Sequence, residues 1–222
     1  MAITFLELYN EVAGQPWSMF DADAESNDDL ESALKTSINK AASYLWNLKP
    51  WSFRVQETKV RLSNGRNKVS MPNGRLFKES VNNKTTYGIK CNGKHLEYLP
   101  DYETLEEQVG TPEGFYLKGE NIYFYPTADD TYTINITYLS LPYAVDEEGN
   151  ELYELTDETD MLNIPDKYSA LFRNCLISLA MIYAIADDND ENHSGYQRQY
   201  EDALSKLIDY CNTPLIDRTL YW

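Results

Sequence analysis

The sequence predicts an α+β fold in which an antiparallel β module is inserted into a four-helix bundle. Apolar residues recur at helical spacing up to residue 50 and again beyond residue 163. Between residues 50 and 163 they recur at every second position instead. Glycine-containing turn dipeptides interrupt that middle part of the chain. Because two short helices cannot bury their apolar stripes alone, the stripes of all four helices are expected to pack together.

The predicted division of the chain has three parts. A helical bundle, with two N-terminal and two C-terminal helices, is expected at 1–50 and 160–212. An inserted β-sandwich or barrel module is expected at 51–159, and an extended C-terminal tail at 213–222. A chain of 222 residues is long enough for one large domain or two small ones.

Two helices are predicted before the β module. The first covers 3–13, where Thr4 and Glu7 match a capping box and Ile3 with Leu8 matches the hydrophobic staple around it. The second helix carries an apolar stripe at helical spacing. The stripe consists of Leu30, Leu34, Ile38, Ala41, Leu45 and Leu48.

Alternation with a period of two predicts strands in the β module. Asn-Gly dipeptides at 64–65 and 92–93 predict two tight hairpins, and "TYTINITY" at 131–138 predicts a further strand. The cross-strand pairs expected from these turns are Val60 with Val69, Ile89 with Leu96 and, on the other face, Lys90 with His95.

"GFYLKGENIYFYP", at 114–126, predicts a third hairpin with ring side chains on both faces. A turn at Gly119-Glu120 sets Tyr116 opposite Tyr123. The other face then carries the pairs Phe115 with Phe124 and Leu117 with Ile122. One face can enter the core of the module, but the tyrosine face needs a second cover. Tyrosine, present in 18 copies, is enriched where proteins meet other proteins or sugars. A general composition bias of the source genome, which the many Asn and Asp residues also suggest, is an equally good explanation of the count.

Two further helices are predicted after the β module, at 163–186 and at about 194–211. The first of these carries a wide apolar stripe: Tyr168, Leu171, Phe172, Cys175, Leu176, Leu179, Ile182 and Tyr183.

Pro214 ends the last helical pattern, and the residues that follow it are largely apolar. These apolar residues are Leu215, Ile216, Leu220, Tyr221 and Trp222. A tail of this kind exposes apolar surface on a free subunit, and chain ends fray unless something ties them down. The tail is therefore expected either to dock on a partner or to fold back on its own bundle.

The composition argues against several classes of function. A net charge of −17 disfavours binding to nucleic acid or to anionic membranes by bulk attraction. The chain has no apolar run of about 18 residues that would predict a membrane span. Cys91, Cys175 and Cys211 follow no spacing pattern, which indicates free thiols in a reducing compartment.

The sequence predicts no catalytic residue, no cofactor and no metal site. His95 falls on the polar face of a predicted hairpin and His193 in a hydrophilic linker, and no nucleophile-elbow or phosphate-binding glycine motif occurs. The acidic stretch at 21–29 lacks the glycine and the glutamate that a calcium loop needs. The acidic stretch at 146–160 is typical of a solvated loop.

Two alternatives to a purely structural role stay open. The first is a carbohydrate-binding β-sandwich on a helical mount, because aromatic residues crowd the strands and Trp46 and Trp51 bracket "NLKP". These two tryptophans are, however, expected to pack where the β module joins the bundle. The second alternative is a hydrolase that uses a pair of carboxylates, although no pair is marked by its spacing.

The order of these parts resembles the head-to-tail adaptor proteins of short-tailed bacteriophages, also called connector ring or tail tubular protein A-like proteins. The resemblance depends on "LWNLKPWSF" at 45–53, "GFYLKGENIYFYP" at 114–126, "ITYLSLPY" at 136–143 and "IPDKYSALFRNCLISLAMIYA" at 164–184. It covers most of the chain through the order and spacing of these segments.

The resemblance implies a structural virion protein at the head-to-tail junction, made in the cytoplasm of the bacterial host. Such proteins form rings, typically of twelve copies, below the portal protein and above the tail or the next ring. Double-stranded DNA passes through the bore without specific binding. Twelve copies at −17 carry roughly −200, which suits a bore along which DNA slides.

The resemblance also assigns roles to residues. The C-terminal tail would dock on the portal through Leu215, Ile216, Arg218, Leu220, Tyr221 and Trp222. Tyr116 and Tyr123 would lie at the subunit interface, because each copy in a ring has two neighbours that can cover a second face. The acidic stretches at 21–29 and 146–160 are not part of the family pattern, so their role is open.

Overall fold

The computed structural model describes residues 3–15, 27–81, 84–184 and 190–211, and over these residues the fold is α+β, as predicted. The chain divides into two compact units. A β unit covers 54–141, and a helical unit contains the described residues before and after it.

The β unit contains thirteen strands within its described residues. They are β1 Val55–Leu62, β2 Lys68–Ser70, β3 Gly74–Leu76, β4 Lys78–Val81, β5 Lys84–Tyr87, β6 Ile89–Cys91, β7 Lys94–His95, β8 Glu97–Tyr98, β9 Val109–Gly110, β10 Gly114–Lys118, β11 Asn121–Tyr125, β12 Thr127–Ala128 and β13 Tyr132–Ser140. A five-stranded sheet has the order β1-β13-β6-β7, with β3 also paired to β13, and a four-stranded sheet has the order β2-β11-β10-β8. The pairs β4-β5 and β9-β12 stand apart from both sheets.

The inner faces of the two main sheets share one apolar core, so the β unit is a sandwich and not a closed barrel. Ile134 and Ile136 of β13 and Ile89 of β6 come from the five-stranded sheet. Phe115 of β10 and Phe124 of β11 come from the four-stranded sheet, and all five side chains are at most 1% exposed. The alternation of apolar and polar residues in "TYTINITY" therefore marks the inward and outward faces of β13.

One predicted hairpin is wrong. Val60 does not pair with Val69, because Val60 lies opposite Ile134 and Val69 opposite Ile122. A turn does form at 64–65, where the amide of Arg66 donates to Ser63 O at 3.0 Å, but it carries the chain from one sheet into the other. The eight-residue ladder between β1 and β13 satisfies more backbone groups than a hairpin with the three-residue β2 could satisfy.

The other two predicted hairpins are confirmed. Lys90 lies opposite His95, and the amide of Leu96 donates to Ile89 O at 2.9 Å. The register of β10 and β11 is the expected one, with Tyr116 opposite Tyr123.

The helical unit contains four helices and three short strands within its described residues. They are α1 Phe5–Ala13, α2 Asn27–Leu48, α3 Asp166–Ala184, α4 Asp190–Tyr210, β14 Ala144–Val145, β15 Glu151–Leu152 and β16 Met161–Leu162. Helix α3 packs against both α2 and α4, and α1 packs against α2 and α3. The stripes of all four helices thus share one core, as predicted.

Side-chain hydrogen bonds stabilise the start of α1, where the sequence predicted them, and the end of α2. The capping box at the start of α1 is present, since the amide of Glu7 donates to Thr4 Oγ1 and the amide of Thr4 donates to the Glu7 carboxylate. After α2, the indole Nε1 of Trp51 donates to Leu45 O at 2.6 Å, and its ring stacks on Phe53 at 5.9 Å. Trp46 and Trp51 are 1% and 0% exposed, so both belong to the core of the helical unit.

Asp160 connects the loop after β15 to the start of α1. Its carboxylate is 2% exposed and accepts hydrogen bonds from the amides of Thr156 and Asp157 at 2.7 and 2.8 Å. Its carbonyl accepts from the amide of Phe5 at 2.8 Å, which satisfies one of the donors that a helix N-terminus leaves open.

We expect Asp160→Ala to lower the free energy of unfolding by about 2–3 kcal/mol, because two amides lose their acceptor in a buried place. Asp160→Asn keeps one acceptor oxygen and should cost less. Urea unfolding at neutral pH measures both variants. A loss below about 0.5 kcal/mol for Asp160→Ala, the range of ordinary surface substitutions, would contradict this assignment.

Candidate functional site

The outer face of the four-stranded sheet carries three stacked tyrosine rings, Tyr102, Tyr116 and Tyr123, which we call the tyrosine row. The centroids of Tyr102 and Tyr116 are 4.5 Å apart with an interplanar angle of 7°. Those of Tyr116 and Tyr123 are 5.1 Å apart with an angle of 9°. The three rings are therefore nearly parallel, and the central ring has a neighbour on each side.

Strand alternation and a tight turn place the row. Tyr116 and Tyr123 lie directly opposite each other, on the face away from Phe115 and Phe124, because successive side chains point to opposite faces. Gly119 forms the turn with φ +59°, a left-handed conformation that favours glycine. Tyr102 comes from a short 3₁₀ turn, Tyr102–Thr104, between β8 and β9.

Two lysines lie at the ends of the row. Lys118 Nζ lies over the ring of Tyr102 at 5.8 Å from its centroid, and Lys68 Nζ over that of Tyr123 at 6.0 Å. Both distances fall within the range of cation–π attraction. Burial raises the pKa of Tyr116, and the neighbouring phenols of Tyr123 and Tyr102 raise it further. Tyr116 therefore stays neutral at physiological pH.

The row gives part of the answer to what covers the tyrosine face. Tyr102 of the same chain stacks on Tyr116, and all three rings are half-buried. The sequence predicted the pairing of Tyr116 and Tyr123, but it did not predict Tyr102, Lys68 or Lys118 as their neighbours. Strand alternation could have placed Lys118 beside the row, since it lies two residues from Tyr116 on the same face. No sequence pattern could have placed Tyr102 there, because it is not part of any periodic pattern.

The predicted tail residues belong to a part of the chain that the structure does not describe. Leu215, Ile216, Arg218, Leu220, Tyr221 and Trp222 lie outside the described residues, as does most of the acidic stretch at 21–29. Their roles stay predictions, and so does the interface role of Tyr116 and Tyr123.

The acidic stretch at 146–160 forms the hairpin between β14 and β15 and the loop that follows it. Asp146 shapes its turn by accepting from the amide and side chain of Asn150, both at 2.7 Å, and the side-chain bond is the main cause that lowers the pKa of Asp146. Most of the other carboxylates point into solvent, and Tyr153 among them is 57% exposed.

The histidines and cysteines form no reactive arrangement within the described part of the chain. His95 is half-buried on β7, and His193 lies on α4. The three cysteines are free and buried. Burial is the main cause that raises the pKa of Cys91, of Cys175 to about 12 and of Cys211 to about 11, so all three stay protonated thiols at neutral pH.

A groove of about 1130 Å³ runs along α2 in the helical unit. Asn39 forms part of its lining, and the side chain of Asn39 accepts from Tyr143 Oη at 2.9 Å and from the amide of Leu155 at 2.8 Å. The side-chain amide of Asn39 thus holds the chain around Leu155 against α2.

The described residues contain neither a metal site nor a membrane span. No group of three or more histidine, cysteine or acidic side chains in the described ranges is placed to hold a metal ion. No helix in the same ranges combines the length and apolarity needed to cross a bilayer.

Comparison with known proteins supports the resemblance seen in the sequence. A comparison with curated proteins gives no match to this chain. The family model described as SU10 adaptor protein matches residues 3–217, which includes both units and the start of the tail. This is a family of phage head-to-tail adaptors, so the expected resemblance is confirmed and a virion component of the head-to-tail junction is implied. The chain belongs to the SU10 adaptor protein family.

Proposed function

We propose that the protein forms a closed ring, typically of twelve copies, that joins the portal of the capsid to the tail or to the next ring protein. Double-stranded DNA would pass through the bore during genome ejection without being bound specifically. The observation that carries the proposal is the adaptor family match over 3–217. The protein acts through assembly and not as an enzyme.

The tyrosine row and the tail supply the surfaces that such an assembly needs. Tyr116 and Tyr123 lie on the outer face of a sheet whose inner face already fills the core of the β unit. Their remaining exposed surface suits a neighbouring copy, because tyrosine is enriched at protein interfaces. The apolar tail after Pro214 suits the portal as its partner.

The carbohydrate-binding alternative loses its main supports. A sugar stacks on an exposed ring face, whereas the faces of the central tyrosine are covered by its two neighbours and the outer rings have a lysine above them. Trp46 and Trp51 are buried in the helical unit. The observations therefore favour assembly over sugar binding.

The proposal is tested by imaging the purified full chain and measuring the mass of its assemblies, alone and mixed with the portal protein of the same phage. We expect closed rings of about 300 kDa, twelve times the chain mass of 25.6 kDa, alone or on the portal. A chain that stays monomeric under both conditions contradicts the proposal. Quenching of intrinsic fluorescence by oligosaccharides would instead support the carbohydrate-binding alternative.

A further inference from the structure

The negative charge of the chain is unevenly divided between its two parts. Residues 54–141 contain eleven lysines and arginines and eleven acidic residues, so the net charge of −17 belongs entirely to the rest of the chain. Within the β unit, ten of the eleven basic residues fall in 54–94, against two acidic ones. The strands β1 to β7 are therefore strongly basic in an acidic protein.

The register of the five-stranded sheet places several of these residues on its outer face. Lys59 lies opposite Asn135, which lies opposite Lys90, which lies opposite His95, so one row crosses four strands. Strands are about 4.8 Å apart, so Lys59 and Lys90 are roughly 10 Å apart at their backbones. Arg61 stands on the same face of β1, two residues beyond Lys59. We call Lys59, Arg61 and Lys90 the cationic face.

Two side chains of the cationic face, Lys59 and Arg61, have no carboxylate partner within the described residues. Both side chains are exposed on β1, two residues apart on the same face. Glu57 is the one acidic residue of β1 on this face, and its carboxylate accepts from Asn135 Nδ2 at 3.0 Å. Like charges on neighbouring positions of a sheet repel each other, so this face gains from an anionic partner.

The helical unit presents a surface of opposite charge. The hairpin and loop at 146–158 contain seven carboxylates, and the chain has no lysine or arginine between Lys118 and Lys167. Glu147, Glu148 and Glu154 are exposed. Tyr153 lies between acidic residues and is 57% exposed, which adds a ring of the type that anchors interfaces and attracts cations.

We propose that the cationic face receives the acidic segment 146–158 of a second copy of this chain. The proposal rests on the ring proposed above and names one of its contacts. A second copy fits better than DNA, because a net charge of −17 repels a polyanion at long range. The tyrosine row lies on the opposite outer face of the sandwich, so the two faces point toward different neighbours, as a heterologous ring contact requires.

Complementary charges attract across an interface, like charges brought face to face there cost several kcal/mol, and salt screens both effects where the charges are exposed. Ring formation is therefore expected to weaken as ionic strength rises from about 0.05 M to about 0.5 M, where the Debye length falls well below 10 Å. The same contact explains why exposed acidic residues accumulate at 146–158, a stretch whose role the family pattern leaves open.

A charge-swap cycle tests the proposal on the full chain. Lys59→Glu with Arg61→Glu, and separately Glu147→Lys with Glu154→Lys, should each raise the concentration for half-assembly at least about tenfold. The variant that carries all four substitutions restores opposite charges and should recover assembly. Tyr153→Ser, which changes no charge, should also weaken assembly.

Matched controls distinguish loss of the contact between copies from unfolding of the subunit. Arg66→Glu with Lys94→Glu makes the same charge change in the β unit at exposed positions off the cationic face, and it should assemble as the parent does. Thermal melts of all variants should agree with that of the parent, because the changed side chains are exposed.

Each other outcome overturns the proposal. If the parent forms rings and both charge-reversed variants do so equally well, the contact is wrong while the proposed function stands. A fourfold variant that fails to recover assembly also contradicts the contact. If Lys59→Glu with Arg61→Glu leaves assembly intact but abolishes binding of a DNA duplex at low salt, the face serves DNA instead. A parent that forms no ring in any condition removes the proposed function and this contact together.

Discussion

Deletion of 214–222 is expected to abolish joining to portal-bearing capsids while the isolated subunit stays folded. The helical core ends with Leu207 and Cys211, both buried, so the deletion begins after the last core residue that the structure describes. The deleted segment holds two aromatic residues of the kind that dominates interface energies, with about 2 kcal/mol or more for each such anchor. Losing both should weaken docking by a factor of about a thousand.

Point variants show which part of the tail matters. Tyr221→Ser with Trp222→Ser should reproduce most of the loss, whereas Arg218→Ala should have a small effect because an exposed ion pair contributes only about 0–1 kcal/mol. The measurements are cosedimentation with portal-bearing capsids and the melting temperature of the free subunit. A deletion that lowers the melting temperature but leaves joining intact would show that the tail folds back on its own bundle.

Local signals in the sequence predicted the helices well. The capping box at Thr4 and Glu7 and the apolar stripes of α1 to α4 depend on neighbours three or four positions apart, and the structure contains them. Boundaries shifted by a few residues, since α3 begins at Asp166 and α4 at Asp190. These features are predictable because their energies are local or depend only on which face is apolar.

The partners of the strands were harder to predict. A period of two and an Asn-Gly dipeptide show that a strand ends and the chain turns, but not whether the next strand pairs with the one before it. At 64–65 the turn leads into the opposite sheet, and β1 instead pairs with β13, about 75 residues away in sequence. Sequence patterns also do not show which distant segments meet, so they did not predict Tyr102, which reaches the tyrosine row from a 3₁₀ turn.

The candidate site was predictable only in part. Alternation placed Tyr116 and Tyr123 on one face and therefore identified the surface that needs a cover. The cationic face was not predicted, because it becomes visible only when the register brings Lys59 and Lys90 into one row across β13. Total net charge conceals such a face, since it sums over two units of very different charge.

Replacing Tyr116 and Tyr123 by serine is expected to weaken ring closure more than it weakens folding. Inside the subunit the double variant loses two stacked ring contacts, each contributing about 0.5–1.5 kcal/mol beyond the area it buries. The inner pair Phe115 and Phe124 stays in place, so the sandwich should still fold. In the ring the same loss recurs at every subunit contact, and closure requires all of them at once.

Three variants separate the two effects. Tyr116→Phe with Tyr123→Phe keeps the stacked rings and should retain both folding and rings. Phe115→Ser with Phe124→Ser empties the core and should unfold the β unit.

Tyr102→Ser supplies the decisive comparison, because it removes one stacked contact of the row from a residue outside the β10–β11 hairpin. It should lower stability modestly and leave the rings closed. The free energy of unfolding comes from urea titration, and ring closure from sedimentation velocity at matched concentration. The opposite result is that both variants, the Tyr116 and Tyr123 double serine variant and Tyr102→Ser, lose rings only in proportion to their loss of stability. In that case the row is a structural element of the subunit and the interface lies elsewhere.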